Sequence, residues 1–399
     1  MRLLFVADGR SPTALNWIDY FLDGDNQVHL VSTFACTPDP RLASFRVMPA
    51  AFSSVKSAPG GPKSRAGKAL DLLGTPGIGL RTRLRHWFGP LTLPKAAQSL
   101  RAVIEVVQPE LVHAMRIPYE GMMAALAGGE APLLISVWGN DFTLHAPSTP
   151  LMRRYTRLAL QRAAGLHADC QRDLRLGCNW GFPEDRPGVV LPGGGGVQAE
   201  LFHPPEIGKP EGVDDRSRFD RDQRVINPRG FRAYVRNDTF FKAIPLVLAR
   251  RPGTRFICPV MAEEPQAHRW VDELGIQAYV DLLPRQTRPQ MAALFRSARV
   301  AVSPTTHDGT PNTLLEAMAC GCFPVAGDLE SLREWIIPGV NGLLIDPADP
   351  ESLAYSILQA LEDESLEQRA RAYNLHLIAE RATYKRVMEQ AQEFYRQII

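Results

Sequence analysis

Two carboxylates, Asp308 and Glu316, stand eight positions apart in the stretch Ser303 to Asp328, which runs from an apolar strand through a polar loop into a helix and back into a second apolar strand. The spacing predicts a helix that Thr310 caps, with Pro311 at the first helical position, where no amide donor is needed and φ is already set. Leu314, Leu315, Met318 and Ala319 make its buried stripe, while Asn312 and Glu316, one turn apart, share the face toward the loop. The amides from Thr310 to Thr313, at the positive end of the helix dipole, form a site for an anion such as a phosphate. Gly309 lets backbone approach closely, and an ionised Glu316 accepts hydrogen bonds from a sugar diol. The bland alternative has Asp308 complementing the dipole and Glu316 on a solvated face.

The whole run, DGTPNTLLEAMACGCFPVA from Asp308 to Ala326, resembles the signature EGxPxxxLEAMAxGxPVVA of the retaining glycosyltransferases of family 4, which have the GT-B fold. In that family a carboxylate pair with this spacing binds a nucleotide-sugar donor. Asp308 stands where the family has Glu, one methylene longer, and the second Glu is kept. The resemblance implies that Glu316 holds the ribose hydroxyls and that Asp308, Gly309, Thr310, Pro311, Asn312 and Thr313 meet the donor sugar and diphosphate. It also implies a pair of cations for the diphosphate, an Arg and a Lys in a GRLxxxKG motif. Here PRGFRAYVRN, Pro228 to Asn237, supplies Arg229 for the Arg, while the Lys has no counterpart at the expected spacing. Arg236, two residues displaced, is the preferred substitute and Arg232 the second choice; guanidinium keeps the charge and changes the geometry to a bidentate fork. Solvated arginines are the alternative. At the end of an earlier strand, Leu283 lies where relatives seat the nucleotide base.

These residues need a scaffold, and the chain reads as alternating strands and helices. Arg2 to Asp8 is a continuous apolar run, as a buried parallel strand should be, followed by Gly9 and a helix over Pro12 to Leu22. Further strands are expected at Val28 to Ser32, Leu111 to Ala114, Leu133 to Trp138 and Gly165 to Ala168, with helices at Lys95 to Val107, Tyr119 to Ala127 and Pro150 to Ala163. In open α/β sheets ligands collect outside the carboxyl ends of strands. His113, Met115 and Arg116 stand at one such end, and Trp138, Gly139, Asn140 and Asp141 at the next. The family often shows a DxxHxHxxxxxG run followed by HGxD; PELVHAMRIPYEG keeps His113 and Gly121 but has Met115 in the second His position, and WGND keeps Gly139 and Asp141. From this, Arg116, Trp138, Asn140 and Asp141 are acceptor-side candidates, with Asp141 the acceptor of a hydroxyl proton. His113 is either a catalytic group or a satisfied core histidine. The loop at Gly9, which faces the cleft in the family, makes Gly9 a candidate for donor phosphate contact.

The run VVLPGGGGVQAELFHP, Val189 to Pro204, resembles the family's crossing into a second domain, and Pro204 to Arg224 reads as the linker. A second alternating sheet follows, with strands at Arg224 to Asn227, Arg255 to Val260, Ala278 to Leu283 and Val300 to Ser303. The expected architecture is therefore GT-B: two Rossmann-like doubly wound α/β domains facing each other across a cleft. Residues 1–204 form the acceptor-side domain, 205–381 the donor-binding domain, and a last helix, about 382–399, packs back on the first.

Composition excludes other classes. With 399 residues the chain suits two domains, and a net charge of +2 is too small for a nucleic-acid binder. Six cysteines show no zinc-site spacing; Cys320 and Cys322 read as small core residues and the set fits a reducing cytoplasm. No leader and no membrane span is expected. The segment of about 56–88 carries Lys56, Lys63, Arg65, Lys68, Arg81, Arg83 and Arg85 against the lone acid Asp71, with Trp87 and Phe88; it is either a peripheral membrane contact or a solvated loop.

The expectation is thus a metal-independent retaining glycosyltransferase without cofactor. Its donor is a nucleoside diphosphate sugar, UDP ahead of GDP, and its acceptor a hydroxyl of a glycan, a lipid-linked or a small-molecule acceptor, lipid-linked acceptors being what the resemblance often implies. Catalysis is assigned to Asp308, Arg229, Arg236, His113 and Asp141. Another GT-B enzyme, an epimerase or phosphorylase, and a non-catalytic nucleotide-sugar binder are the alternatives.

Overall fold

Apolar runs too short for helices, each followed by an amphipathic helix, leave parallel pairing as the way to bury both strand faces, and the computed structural model has two all-parallel sheets. It describes residues 1–51, 84–205, 221–232 and 234–399. The chain divides into two compact units, residues 1–195 with 388–399, and residues 196–387.

Unit 1 contains β1 (Arg2–Ala7), β2 (Gln27–Ser32), β3 (Ser44–Val47), β4 (Leu111–Ala114), β5 (Leu133–Val137), β6 (Gly165–Ala168) and β7 (Gly188–Val190), in the order β3-β2-β1-β4-β5-β6-β7. The order reverses between β1 and β4, which pair directly, Phe5 beside His113. Such a switch point opens a crevice at the carboxyl ends of the two strands. The helix Pro12–Leu22 is capped by Ser11 and buries Trp17, Ile18 and Phe21. Two elements differ from the sequence expectation. β3 is half exposed and lacks the apolar signature that revealed its neighbours. The expected helix at Tyr119 begins only at Met122, because Pro118 and Tyr119 leave helical geometry, Tyr119 with φ +72°.

Unit 2 contains β8 (Arg224–Ile226), β9 (Arg255–Pro259), β10 (Val280–Leu283), β11 (Val300–Ser303), β12 (Phe323–Gly327) and β13 (Leu343–Ile345), in the order β10-β9-β8-β11-β12-β13. Here the reversal falls between β8 and β11. Gly196, φ +87°, is required where the chain enters this unit: a Cβ there would lie 2.5 Å from the Ala382 carbonyl oxygen. Val197 donates its amide to that same oxygen. Cys320 and Cys322 are buried and free, as expected of core thiols.

Of the basic segment, Lys56, Lys63, Arg65, Lys68, Arg81 and Arg83 lie outside the described residues, as does most of the expected linker, 206–220. Among the described residues no helix is long and apolar enough to cross a membrane.

Candidate functional site

In unit 2 the loops after β8 and β11 flank the reversal, and hydrogen bonds zip them together. Thr306 donates its amide and hydroxyl to the Tyr234 carbonyl at 2.9 and 3.1 Å, and Arg236 donates its amide to the Pro304 carbonyl at 2.9 Å. Asn227, fully buried at the end of β8, accepts from the Arg229 amide and donates to Asn237, which in turn donates to the Gly230 carbonyl. The turn that carries Arg229 is thereby fixed from both sides. Its guanidinium donates through Nη2 to Asp308 Oδ2 at 2.5 Å and through Nη1 to Thr313 Oγ1 at 3.1 Å. The Arg229 Nε is buried without a hydrogen-bond partner among the described residues.

The helix runs Asn312–Ala319 and its cap position is Pro311, which corrects the expectation that Thr310 caps it. Pro311 has extended φ/ψ and offers no side-chain acceptor, while the Thr310 hydroxyl is used elsewhere, accepting from Trp335 Nε1 at 2.9 Å. Ser331 donates its hydroxyl to the Asp308 carbonyl at 2.7 Å. Two side chains that follow β12 therefore hold the loop that carries Asp308 and Gly309. The first turn of the helix, with the positive end of its dipole, lies beside the Arg229 fork through Thr313.

Glu316 lies one turn further along, mostly buried, with Arg288 Nη2 at 3.6 Å from its Oε1. Burial pushes its carboxyl up to about 7, and the Arg288 guanidinium opposes that rise. Nothing in the spacing of the sequence pointed to Arg288, which arrives from a different helix, Arg288–Arg296, with its own capping box at Thr287 and Gln290. Two of the expected cations are placed otherwise than expected. Arg236 is clamped by Asp238 through Nε and Nη2 at 2.8 and 2.7 Å, and the Arg232 Nη1 donates to the Tyr234 hydroxyl on the exposed side. A carboxylate two residues away outcompetes a more distant partner for Arg236. The Leu283 carbonyl at the end of β10 already accepts the amides of Met261 and Ala262.

In unit 1 three expectations are corrected. His113 is 1% exposed and belongs to a chain of hydrogen bonds through the core: Tyr395 Oη to His113 Nδ1 at 2.5 Å, His113 Nε2 to Ser136 Oγ at 2.7 Å, Ser136 Oγ to His167 Nδ1 at 2.8 Å, and His167 Nε2 to the Leu191 carbonyl at 2.9 Å. A carbonyl only accepts, so a neutral His167 carries its proton on Nε2. The Ser136 hydroxyl then donates to His167, His113 donates from Nε2, and Tyr395 donates to His113 while accepting from Trp17 Nε1 at 2.9 Å. Both histidines are neutral: burial holds His113 well below its ordinary value and brings His167 down to about 4. His113 is a satisfied core residue, not a group open to substrate.

Asp141 is also buried, 1% exposed, with Oδ1 accepting from Arg116 Nε at 2.9 Å and Oδ2 from the Trp138 amide at 3.0 Å. Both oxygens serve the protein, so it positions Arg116 instead of taking a substrate proton. Asn140 Oδ1 accepts from Arg116 Nη2 at 2.9 Å, and the Arg116 guanidinium carbon lies 5.9 Å from the Trp138 ring centre. The structure thus brings Arg116, Trp138, Asn140 and Asp141 together. Gly9 donates its amide to Ser32 Oγ at 3.0 Å, and a Cβ on it would meet Cys36 Sγ and Ser32 Oγ. That glycine answers a packing need, and its amide is committed within the unit.

Residues 218–376 match the family described as glycosyl transferases group 1, and residues 30–194 the family described as glycosyl transferase 4-like domain. A D-inositol 3-phosphate glycosyltransferase of Thermomonospora curvata is 28% identical over 270 residues, 64% of this chain and 58% of that protein. The chain spans about half the length of the curated relatives it matches first, 44% and 58%. Among solved structures, Anabaena Alr3699/HepE in complex with UDP aligns with a TM-score of 0.73 at 15% identity over 100% of both chains. A sucrose-phosphate synthase of Thermosynechococcus elongatus aligns with a TM-score of 0.73 at 15% identity over 100% of this chain and 99% of that one.

Proposed function

We propose that this chain, which belongs to glycosyltransferase family 4 and has the GT-B fold, moves a sugar from a nucleoside diphosphate, UDP ahead of GDP, to an acceptor hydroxyl with retention at the anomeric carbon. The observation that carries the reading is the meeting of Arg229, Asp308 and Thr313 at the start of the helix Asn312–Ala319. When the bond between anomeric carbon and phosphate oxygen breaks, negative charge grows on the departing diphosphate. A preoriented guanidinium and the positive end of a helix stabilise that growing charge without reorganising. Asp308 holds the fork in place, and the ligand takes the donors that the fork has to spare.

Glu316 serves the ribose, accepting from its hydroxyls once ionised, and Arg288 sits beside it to favour that form. Arg229 and the positive end of the helix Asn312–Ala319 neutralise the diphosphate, so the proposed reaction uses no metal and no cofactor. The new carbon–oxygen bond forms on the face the diphosphate leaves, and a diphosphate oxygen takes the acceptor's proton. Alr3699/HepE was solved with UDP, which supports a UDP sugar here. Unit 1 is the acceptor half, with Arg116 its leading polar contact; glycan, small-molecule and lipid-linked hydroxyls all suit it. The free thiols support a cytoplasmic setting, and the exposed Leu84, Trp87, Phe88 and Leu91, next to the basic run of the sequence, support peripheral contact with an anionic membrane face.

The test is a panel of UDP and GDP sugars measured by thermal shift and then by product analysis with donor alone, with added phosphate and with polyol acceptors. A glycoside whose anomeric configuration matches the donor's is expected. Epimerised donor, or sugar 1-phosphate formed only with phosphate, would replace transfer by another GT-B reaction. Binding without turnover would leave a nucleotide-sugar binder.

A further inference from the structure

The chain leaves β9 through a residue ill suited to the conformation it holds. Val260, the first residue after the strand, has a φ of +65°, a region that crowds the Cβ of an L-residue and is an outlier for a β-branched one. The surroundings impose it. Met261, next in the chain, is buried in the core of unit 2, and its amide and that of Ala262 both donate to the Leu283 carbonyl, at 3.0 and 3.1 Å. The Val260 amide donates to the Pro284 carbonyl at 3.3 Å, which also accepts from Gln286 Nε2 at 2.8 Å. Three successive amides thus turn toward two successive carbonyls at the end of β10, and the sharp bend falls at Val260.

Glycine meets such a bend without strain. The turn after β8 makes a like demand at Gly230, φ +60°, and there the chain has glycine. At Val260 it has a branched side chain that core packing does not call for, since the residue is 45% exposed. A Cβ on Gly230 would lie 3.5 Å from Val260 Cβ and 3.7 Å from its Cγ1, so the valine rests against the turn that carries Arg229. The strand order β10-β9-β8-β11 sets the end of β9 between that turn and the loop that leads from β10 to Arg288. Backbone strain that the surroundings over-determine clusters where ligands are held.

We propose that Val260 is a shelf for the nucleobase of the donor, its strained turn holding two methyl groups out beside Gly230. The inference rests on the glycosyl-transfer reading above, in which Arg229 takes the diphosphate and Glu316 the ribose. The base is joined to the ribose on the side away from the diphosphate, and its ring face is the flat apolar surface that a nucleotide offers. Ligand sites set such apolar walls beside a few placed polar groups. Methyl groups cover a ring face whatever hydrogen bonds its edge makes, so the shelf serves uridine and guanosine diphosphates alike.

The test titrates the full chain with UDP, with GDP and with methyl riboside 5-diphosphate, the same ligand without a base, for the wild type, Val260→Ala and Val260→Gly. Val260→Ala removes the methyls and keeps the strain; Val260→Gly removes both. Each should weaken the nucleotide that the wild type binds by about fivefold and leave the base-free ligand unchanged. Melting curves read the strain: Val260→Gly should melt higher than Val260→Ala by about 2 °C or more, the reverse of the order at an ordinary position. Nucleotide affinity kept in both variants, an equal loss for the base-free ligand, or a glycine variant that melts below the alanine one overturns this inference and leaves glycosyl transfer standing. A wild type that binds neither nucleotide overturns the transfer reading, and this inference with it.

Discussion

The Arg229 guanidinium and the Asp308 carboxylate meet at 2.5 Å, each delivered by a loop that leaves one of the two strands flanking the reversal of the second sheet. The contact does two things. It satisfies a nearly buried charge pair, and it aims the remaining edge of the fork at the start of a helix. A substitution on either side therefore tests placement as well as charge.

Arg229→Lys keeps the charge and loses the fork, while Arg229→Gln loses both. A hydrogen bond to a charged group contributes about 1.5–3 kcal/mol, so Arg229→Gln should lower the specificity constant for the donor by about ten- to a hundredfold, at 1.4 kcal/mol per tenfold. The lysine variant should fall between it and the wild type. Melting curves must accompany the kinetics, because Asp308 loses the Arg229 fork in both variants. Full activity in a folded Arg229→Gln protein would remove this residue from the diphosphate site.

Glu316 should give donor affinity a pH dependence. Its carboxyl is raised to about 7 by burial, so the neutral form is favoured in the free protein at mildly acidic pH, and ribose recognition needs the ion. Affinity for the donor should rise as pH increases through about 7. Stability runs the other way: a carboxyl with a raised folded value contributes stability that is full below its unfolded value and is lost as pH rises through the folded one. In Glu316→Gln both dependences should flatten. Calorimetric titration from acid to mildly alkaline pH, comparing variant with wild type, separates this group from the titration of the nucleotide itself; parallel curves for the two proteins would count against the role.

Most strand positions and the loop after β11 were legible in the sequence because apolar runs and the Asp308 to Ala326 pattern are local signals. What escaped was the choice between near and distant partners. Arg236 looked like a phosphate ligand from its position, but Asp238, two residues on, supplies a bidentate partner at no cost in loop closure. His113 looked catalytic for its strand-end position, yet its bond partners come from residues 23 and 282 positions away, a relation that no spacing rule reads. Arg288 was silent for the same reason: it acquires its meaning from an element further on in the chain.

The chain from Trp17 through Tyr395, His113, Ser136 and His167 to Leu191 should be a stability element of unit 1. Tyr395→Phe keeps the ring stacked on Phe21 at 4.6 Å and removes the hydroxyl, so Trp17 Nε1 loses its acceptor and His113 Nδ1 its donor. Leaving a buried polar group unsatisfied costs about 1–3 kcal/mol. For a unit of this size that is a fall in Tm of several degrees, roughly 2–4 °C per kcal/mol. Differential scanning calorimetry reads it directly, and an unchanged Tm would show that the hydroxyl's bonds carry no net stability.

The same chain sets an acid limit. His113 and His167 stay neutral in the fold and take up protons freely once unfolded, so the unfolded state binds more protons below the ordinary histidine value of about 6.5. Stability contributed by a group with a lowered folded value is complete above the unfolded value and is lost as pH falls beneath it. In a Glu316→Gln protein, which lacks the carboxyl raised to about 7, denaturant midpoints should therefore drop between pH of about 7 and about 5. A midpoint that holds constant across that interval would mean that the histidines are protonated in the native core.

Asp141 separates two roles by kinetics. As a general base it would raise the chemical step by about 10² to 10⁴-fold, and Asp141→Asn would remove that from kcat. Its buried oxygens are instead spent on Arg116 Nε and the Trp138 amide. An asparagine there keeps an acceptor for one of these and presents an amide N–H to the other, which loosens the Nε side of Arg116. The expected result is a higher KM for the acceptor, by about tenfold for one charge-assisted bond, with kcat little changed and the donor's KM untouched. A large loss in kcat with an unaltered acceptor KM would reinstate Asp141 as the group that takes the proton, and the diphosphate oxygen would then have no part in that step.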